Sequence, residues 1–192
     1  MTRAHIIPAA LLACFGVATS AFGNALDGVL AVRSAYVNVD SGVFKLHARV
    51  EYPETEDVRT ALGDGVTLMF DLEANVARER RYWWDAGVVA NSLRRELSYH
   101  AVSNRYVVRD TGGAIGGRQD SYASLHEALT AIGTVDDWPL LVEPQISPDA
   151  RYRISVRASV RRGRLPDTLR ALMFWSDGWH RTSEWYSWSL PI

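Results

Sequence analysis

Arg-Tyr-Arg-Ile-Ser-Val-Arg-Ala-Ser-Val-Arg, residues 151–161, is the stretch of sequence that decides the fold class. From Tyr152 onward every second residue is apolar, and the residues between are arginine or serine. Successive side chains of a β-strand point to opposite faces of a sheet, so this period of two predicts a strand with one buried and one solvated face. The arginines on the solvated face, here called the arginine stripe, are Arg151, Arg153, Arg157 and Arg161.

The same alternation recurs along the chain, at residues 44–52 and 66–73, and a last strand is predicted from about Thr182 to Leu190. Turn residues predict hairpins around Asp40-Ser41-Gly42 and around Ser103-Asn104. Helical spacing predicts a helix from Tyr122 to Ile132, capped by Asp120 or Ser121 and ended by Gly133, and a short helical turn over residues 55–62. We therefore expect a mainly β fold, an Ig-like antiparallel β-sandwich with one or two short helices.

The first 25 residues predict a secretory signal peptide. Arg3 supplies a positive start, an apolar run follows from Ile6 to Phe22, and Gly23-Asn24-Ala25 fits the small-x-small rule for cleavage. Residues 26–192 would then form a single β-sandwich domain in the periplasm. Two alternatives stay open: the apolar run is retained as an N-terminal anchor, or the chain is a lipoprotein modified at Cys14, which follows Leu11-Leu12-Ala13.

Composition excludes several kinds of chemistry. Cys14 is the only cysteine, so a chain cleaved after Ala25 has no disulfide, no thiolate metal site and no cysteine nucleophile. A formal net charge of −1 gives no electrostatic reason to expect nucleic acid as a partner. Lys45 is the only lysine, so the abundance of arginine reflects a general bias of this sequence.

Motifs that could carry catalysis are weak. The glycine-rich stretch from Gly112 to Gln119 has arginine and glutamine where a phosphate-binding loop needs lysine and a hydroxyl, and it predicts a plain loop. The histidines have no spacing typical of metal ligands. Asp71 and Glu73 share one strand face, and we expect them to pair with arginines such as those of the stripe. The sequence predicts no enzyme activity, no metal and no cofactor.

Two kinds of residue are candidates for a binding surface. The arginine stripe could hold phosphate, a lipid headgroup or an acidic protein partner, because guanidinium groups bind carboxylate and phosphate bidentately; it could equally be a polar sheet face. Neighbouring aromatic residues in an extended segment point to opposite faces, so one member of each pair is expected outside the core. An exposed aromatic strip could stack on a glycan or anchor a protein. The aromatic candidates are Trp83, Trp84, Trp179, Trp185 and Tyr186.

Several motifs in order resemble a proteobacterial family, domain of unknown function 4390 (DUF4390). They are Leu97-x-Tyr99, Tyr106-x-Val108, Leu125 with Ala128, Leu165-Pro166, Trp179, and Ser183-x-Trp185-Tyr186-x-Trp188-x-Leu190. The resemblance covers nearly all of the mature chain. It implies an exported envelope protein, often encoded beside a sensor histidine kinase of the nitrogen-regulation type, and it supplies no activity and no catalytic residues.

These observations lead to three hypotheses about function. The first is a non-enzymatic envelope protein that binds a membrane protein of the sensor-kinase type as an accessory partner. The second is a glycan-binding or small-ligand-binding module that uses exposed tryptophans. The third is a hydrolase whose site the sequence does not reveal. Ligand, partner identity and oligomeric state do not follow from the sequence.

Export is directly testable. N-terminal sequencing of the protein extracted from the cell envelope should begin near Leu26, because the apolar run and Gly23-Asn24-Ala25 direct translocation and cleavage. A chain that still begins at Met1, or one that carries a diacylated Cys14, would contradict the prediction.

Overall fold

The computed structural model describes residues 26–80, 86–112, 117–147, 149–163 and 177–190. No helix within these ranges has the length and apolar character needed to cross a bilayer. The predicted signal peptide at residues 1–25 lies outside them. The strands are β1 (Ala31–Asp40), β2 (Val43–Glu51), β3 (Leu68–Arg78), β4 (Ala86–His100), β5 (Arg105–Asp110), β6 (Gln119–Tyr122), β7 (Thr134–Val142), β8 (Tyr152–Arg162), β9 (His180–Thr182) and β10 (Tyr186–Leu190). The helices are α1 (Glu56–Gly63) and α2 (Leu125–Gly133), with 3-10 turns at Glu143–Gln145 and Asp177–Trp179.

The strands form two antiparallel sheets, which confirms the predicted β-sandwich. The smaller sheet has the order β1-β2-β7. The larger has seven strands in the order β10-β8-β3-β4-β5-β6, with β9 also paired to β8. All of these pairings are antiparallel. β8 lies inside the larger sheet, with β3 on one side and β9 and β10 on the other.

The hydrophobic core lies between the two sheets. Its alternating residues come from β2 in one sheet and from β3 and β8 in the other, and they belong to one continuous cluster that also contains apolar residues of both helices. Each strand therefore turns its apolar face inward, as the period of two predicts. The period of two predicts that the apolar residues of these alternating stretches form the core, and the seven expected at its centre are all buried: Phe44, Leu46, Val50, Leu68, Phe70, Ile154 and Val156.

Both predicted hairpins are present. β1 and β2 are joined by Ser41 and Gly42, whose φ angles of 53° and 76° give the positive-φ pair typical of a type I′ turn. β4 and β5 are joined by a turn in which Asn104 has φ 51°. Asparagine and glycine tolerate this left-handed region better than most residues, which explains why the turns occur at these positions.

Helix α1 follows Pro53 as predicted, but α2 begins later than predicted. Residues 119–122, which contain both expected caps, Asp120 and Ser121, form strand β6 against β5. Ser124 caps α2 by accepting a hydrogen bond from the backbone N–H of Glu127, in place of Asp120 or Ser121. The extended pairing of β6 satisfies backbone groups that a helix starting at Tyr122 would use, so the helix starts only where the pairing ends.

The predicted last strand is broken into two pieces. Ser183 separates β9 from β10. Its backbone N–H donates to the carbonyl of Ala158, and its hydroxyl oxygen accepts from the backbone N–H of Ala158. A side-chain oxygen thus replaces a backbone acceptor at this point of the ladder, and the strand bends around it. Ser183 is buried, although it is polar, because both groups are satisfied.

Gly133 gives a stability prediction. It ends α2 against the smaller sheet, and a β-carbon at this position would lie 2.0 Å from the carbonyl oxygen of Val50. We expect Gly133→Ala to lower the free energy of unfolding by about 2–3 kcal/mol, since backbone must move to admit the methyl group.

Gly63→Ala is the matched control. Gly63 also ends a helix, and among the described residues no atom outside its own helix backbone and its chain neighbours lies within 4 Å of the place that its new methyl group would take. The control should be neutral or stabilising by up to about 1 kcal/mol in urea unfolding. Equal stability of the two variants would contradict the packing described for α2.

Candidate functional site

The arginine stripe lies on the surface of the larger sheet that points away from the core, as predicted. The alternate residues of β8, from Tyr152 to Val160, are buried, so the residues between them face outward. Arg151 immediately precedes the strand and is exposed. We call the outward side chains of β3, β4 and β8, together with Glu79 and Trp185, the charged face.

Asp71 is the centre of the charged face. Its side chain is buried, with the residue only 6% exposed, between two arginines of the neighbouring strands. Arg94 of β4 donates to one carboxylate oxygen at 2.5 Å, and Arg161 of β8 donates to the other at 3.4 Å. This confirms the expected cross-strand charge pairing. The arrangement holds one negative charge between two positive charges, so the carboxylate keeps both guanidinium groups in place.

Glu73 and Arg157 form the next pair along the strands. They are directly opposite in the β3–β8 register, and an Nη of Arg157 lies 2.7 Å from the Glu73 carboxylate. The Arg157 guanidinium also lies 4.4 Å from the ring centroid of Trp185, within range of a cation–π interaction. Its Nε is buried and has no hydrogen-bond partner among the described residues. Arg157 is therefore fixed by a carboxylate and an aromatic ring.

Arg153 and Arg151 lie at the end of the charged face where β3 ends. Arg153 donates twice to one oxygen of Glu79, at 3.0 and 2.8 Å. The backbone N–H of Glu79 donates to the carbonyl of Arg151 at 2.9 Å, which continues the β3–β8 ladder beyond the end of the strand. An open groove of about 600 Å³ lies here, lined by Arg78, Glu79, Arg80, Asp149, Ala150 and Arg151. Three arginines and two carboxylates give the groove a small positive excess.

The aromatic candidates differ in their exposure to solvent. Trp185 and Tyr186 are 41% and 38% exposed at the edge formed by β10. Trp185 lies beside Arg157 on the charged face, whereas Tyr186 is opposite Val156, whose side chain points inward. The prediction that Trp179 is part of an exposed binding surface is corrected by the structure. Trp179 is 8% exposed and belongs to the core cluster. Trp83 and Trp84 lie outside the described residues.

A half-buried ion pair at the end of the sandwich was not predicted from the sequence. Arg95 is opposite Phe70, so its side chain points to the core side of the sheet, unlike that of Arg94. It donates to Asp110 at 3.0 Å and to three carbonyl oxygens at the C-terminal end of α2, those of Ala131, Ile132 and Thr134. A cation at a helix C-terminus satisfies carbonyls that lack helical partners. The signal was present in the sequence, since Leu93 and Leu97 are buried two residues away on either side and the period of two places Arg95 on the same face.

Arg95 also lines a pocket of about 270 Å³ between β5, β6 and the end of α2. Burial, reinforced by nearby Asp120, raises the pKa of the Tyr122 phenol. The charged groups of the lining are paired with arginines: Asp110 with Arg95, Asp120 with Arg118 at 2.9 Å, and Asp136 with Arg49 at 2.9 Å. This pairing leaves the pocket with little charge to offer a ligand.

The outer surface of the smaller sheet holds a second polar cluster. His47 lies 3.4 Å from Asp136 and 3.8 Å from Asp137, and its ring stacks on that of Tyr36 with centroids 4.8 Å apart and planes 7° apart. The hydrogen bond from Arg49 lowers the pKa of Asp136, and His47 adds to this effect against the opposing influence of burial. His126 is exposed and pairs with Glu54. Much of the glycine-rich stretch, residues 113–116, lies outside the described residues.

The fold and the charged face define a class: an antiparallel β-sandwich whose larger sheet carries ordered arginine–carboxylate pairs on its outer surface. The family model for domain of unknown function (DUF4390) matches residues 29–189, and the chain belongs to that family. The resemblance predicted from the motifs is thereby confirmed. No curated protein and no solved structure matches the chain.

Asp71 gives a prediction for the charged face. Asp71→Asn should lower the free energy of unfolding by about 1–3 kcal/mol, because Arg94 and Arg161 then face each other without the carboxylate, although partial exposure of both arginines screens their repulsion. Glu73→Gln is the matched control on the same strand face and should cost at most about 1 kcal/mol, since its pair is more open to solvent. Denaturant unfolding measures both. If Asp71→Asn costs no more than Glu73→Gln, Asp71 is not the centre of the array.

Proposed function

We propose that the protein is exported to the periplasm and acts by binding, as a non-enzymatic accessory partner of a membrane protein of the sensor-kinase type. The observation that carries the proposal is the charged face: arginines held in fixed positions by carboxylates across an outward sheet, beside an exposed tryptophan. The predicted signal peptide supports export. The family resemblance implies a gene that is often encoded beside a sensor histidine kinase, which supports a sensor kinase as the partner.

The arrangement of the arginines suits recognition of an acidic partner. A guanidinium carries five N–H donors, and the carboxylate contacts of Arg157 and Arg161 each use one of them. Further donors can therefore meet carboxylates of a partner without breaking the existing pairs. Because the side chains are already ordered, little conformational entropy is lost when a partner binds. Arginine and tryptophan are also the residues that most often dominate interface energetics.

Trp185 and Tyr186 support the second candidate, a glycan-binding module. Both are exposed at the β10 edge but on opposite sides of the sheet, so Trp185 is the ring of the charged face on which a sugar could stack. One face of the Trp185 ring already lies against the Arg157 guanidinium, so only the other is available for a sugar. We therefore place the protein partner first.

The test is titration with the purified sensor domain of a sensor kinase of the nitrogen-regulation type from the same organism, which is the class of partner that the family resemblance implies. The double variant Arg151→Ala/Arg153→Ala should weaken binding by about tenfold or more, with a marked dependence on salt, because both arginines are exposed on the charged face. Arg157 is left unchanged, since its removal would also disturb Trp185. Arg109→Ala is the control: it is exposed on β5, three strands from β8 in the same sheet, and should bind like the unaltered protein.

Other outcomes separate the candidates. Unchanged binding of the double variant at low salt would contradict a role for the charged face. Failure of the unaltered protein to bind the sensor domain would contradict the proposed partner. Sedimentation with purified peptidoglycan that is lost in Trp185→Ala but kept in the double arginine variant would favour the glycan-binding module instead.

A further inference from the structure

The two sheets end in open strand edges, and three of these edges are protected. In the described residues the edges are β1 and β7 in the smaller sheet, and β6 and the β9–β10 pair in the larger. A free edge exposes unpaired backbone N–H and C=O groups, which proteins normally shield with charge, proline, bulges or short strands. β7 contains Pro139 and two register irregularities against β2. β6 has only four residues, and the β9–β10 edge is broken by Ser183.

β1 is the exception. It is ten residues long, and after an irregularity between Val32 and Ser34 its pairing with β2 is regular to Asp40. The segment from Ser34 to Val39 contains no charged residue and no proline. Two of its large side chains, Tyr36 and Val39, are each 57% exposed. A long, regular, uncharged edge with exposed apolar side chains is the feature that favours pairing with another strand.

The sequence of β1 is complementary to itself in one antiparallel register. Opposite residues of an antiparallel pair point to the same face, so a two-fold axis perpendicular to the sheet can pass midway between the Tyr36 residues of two copies. Tyr36 then faces Tyr36 of the second copy. On either side Ala35 of one copy faces Val37 of the other, and both side chains are directed to the core side. Ser34 faces Asn38, and these two polar side chains can hydrogen-bond to each other.

Two further observations favour this register. Tyr36 stacks on His47 of β2 across the sheet, so the opposite face of its ring is directed to the place that the next strand would occupy. A Tyr36–Tyr36 contact would extend this stack across the two-fold axis, as cross-strand aromatic pairs do. At each end of the pairing, Asp40 of one copy is opposite Val32 of the other, and Arg33 is the next residue. The register therefore brings opposite charges near each other and keeps like charges apart.

We propose that β1 pairs with β1 of a second copy of this chain, about a two-fold axis at Tyr36, and joins the two smaller sheets into one six-stranded sheet. The charged face belongs to the other sheet, so this interface is separate from the proposed partner site. Either proposal can fail without the other.

Single cysteines test the register. In a full chain carrying Cys14→Ser there is no other thiol. Tyr36→Cys should then form a disulfide-linked dimer under mild oxidation, because opposite Cα atoms in an antiparallel pair lie about 4.5–5.5 Å apart, within disulfide range. A mixture of Ser34→Cys and Asn38→Cys should give a cross-linked heterodimer more readily than either alone. Val102→Cys, at the exposed β4–β5 turn, is the control and should remain monomeric. Cross-linking at Val102 as fast as at Tyr36, or none at Tyr36, would overturn the proposal.

Sedimentation equilibrium tests association without cysteines. The unaltered protein should shift from one chain to two as its concentration rises. Tyr36→Lys should weaken dimerisation about tenfold or more, because it places two like charges directly opposite each other. A circular dichroism spectrum and thermal unfolding curve like those of the unaltered protein would show that the variant is folded. A monomer at every concentration, or a dimer that Tyr36→Lys does not weaken, would contradict self-pairing through β1.

Discussion

The register between β3 and β8 is the constraint on which the rest of the structure depends. It places Leu72 opposite Ala158 on the inner face and Glu73 opposite Arg157 on the outer face. A slip of one residue in either strand would turn its carboxylates or arginines into the core and its apolar residues into solvent. The cost of burying unpaired charge excludes that alternative. Core and charged face are thus two consequences of one alignment, and neither can change alone.

The two sheets are also connected at the end of α2. Gly133 allows the helix to approach the backbone of β2 in the smaller sheet, and Arg95 of the larger sheet holds the last carbonyls of the helix. Asp110 compensates the charge of Arg95 in this half-buried place. The helix therefore fixes the spacing of the sheets at one end by backbone contacts, which are less tolerant of substitution than apolar side-chain packing.

Local periodicity predicted the parts of the structure whose signal is local. The strands that alternate strictly, the two hairpins with Gly42 and Asn104 at positive φ, and the pairing of Asp71 and Glu73 with arginines were all predicted. β7 was not predicted, because Asp136, Asp137 and Pro139 hide its alternation. The break at Ser183 depends on which strand lies next to it, and that information is absent from single-sequence spacing. The inward direction of Arg95 follows from its alternation with Leu93 and Leu97, but its partners, Asp110 and the end of α2, do not. The burial of Trp179 depends on the core residues that pack around it in three dimensions, which sequence spacing does not show.

The two surfaces proposed for binding differ in the chemistry they offer. On the charged face the directional groups are side chains, fixed in place by Asp71, Glu73 and Glu79, so a partner must match a pattern of charge. On β1 the directional groups are backbone N–H and C=O, which any extended strand can meet, so specificity has to come from the side chains of residues 34–38. Tyr36 is the largest of these, and its stacking on His47 holds it at the outer face of the edge. Because the surfaces belong to different sheets, a chain paired through β1 still presents its charged face to a second molecule.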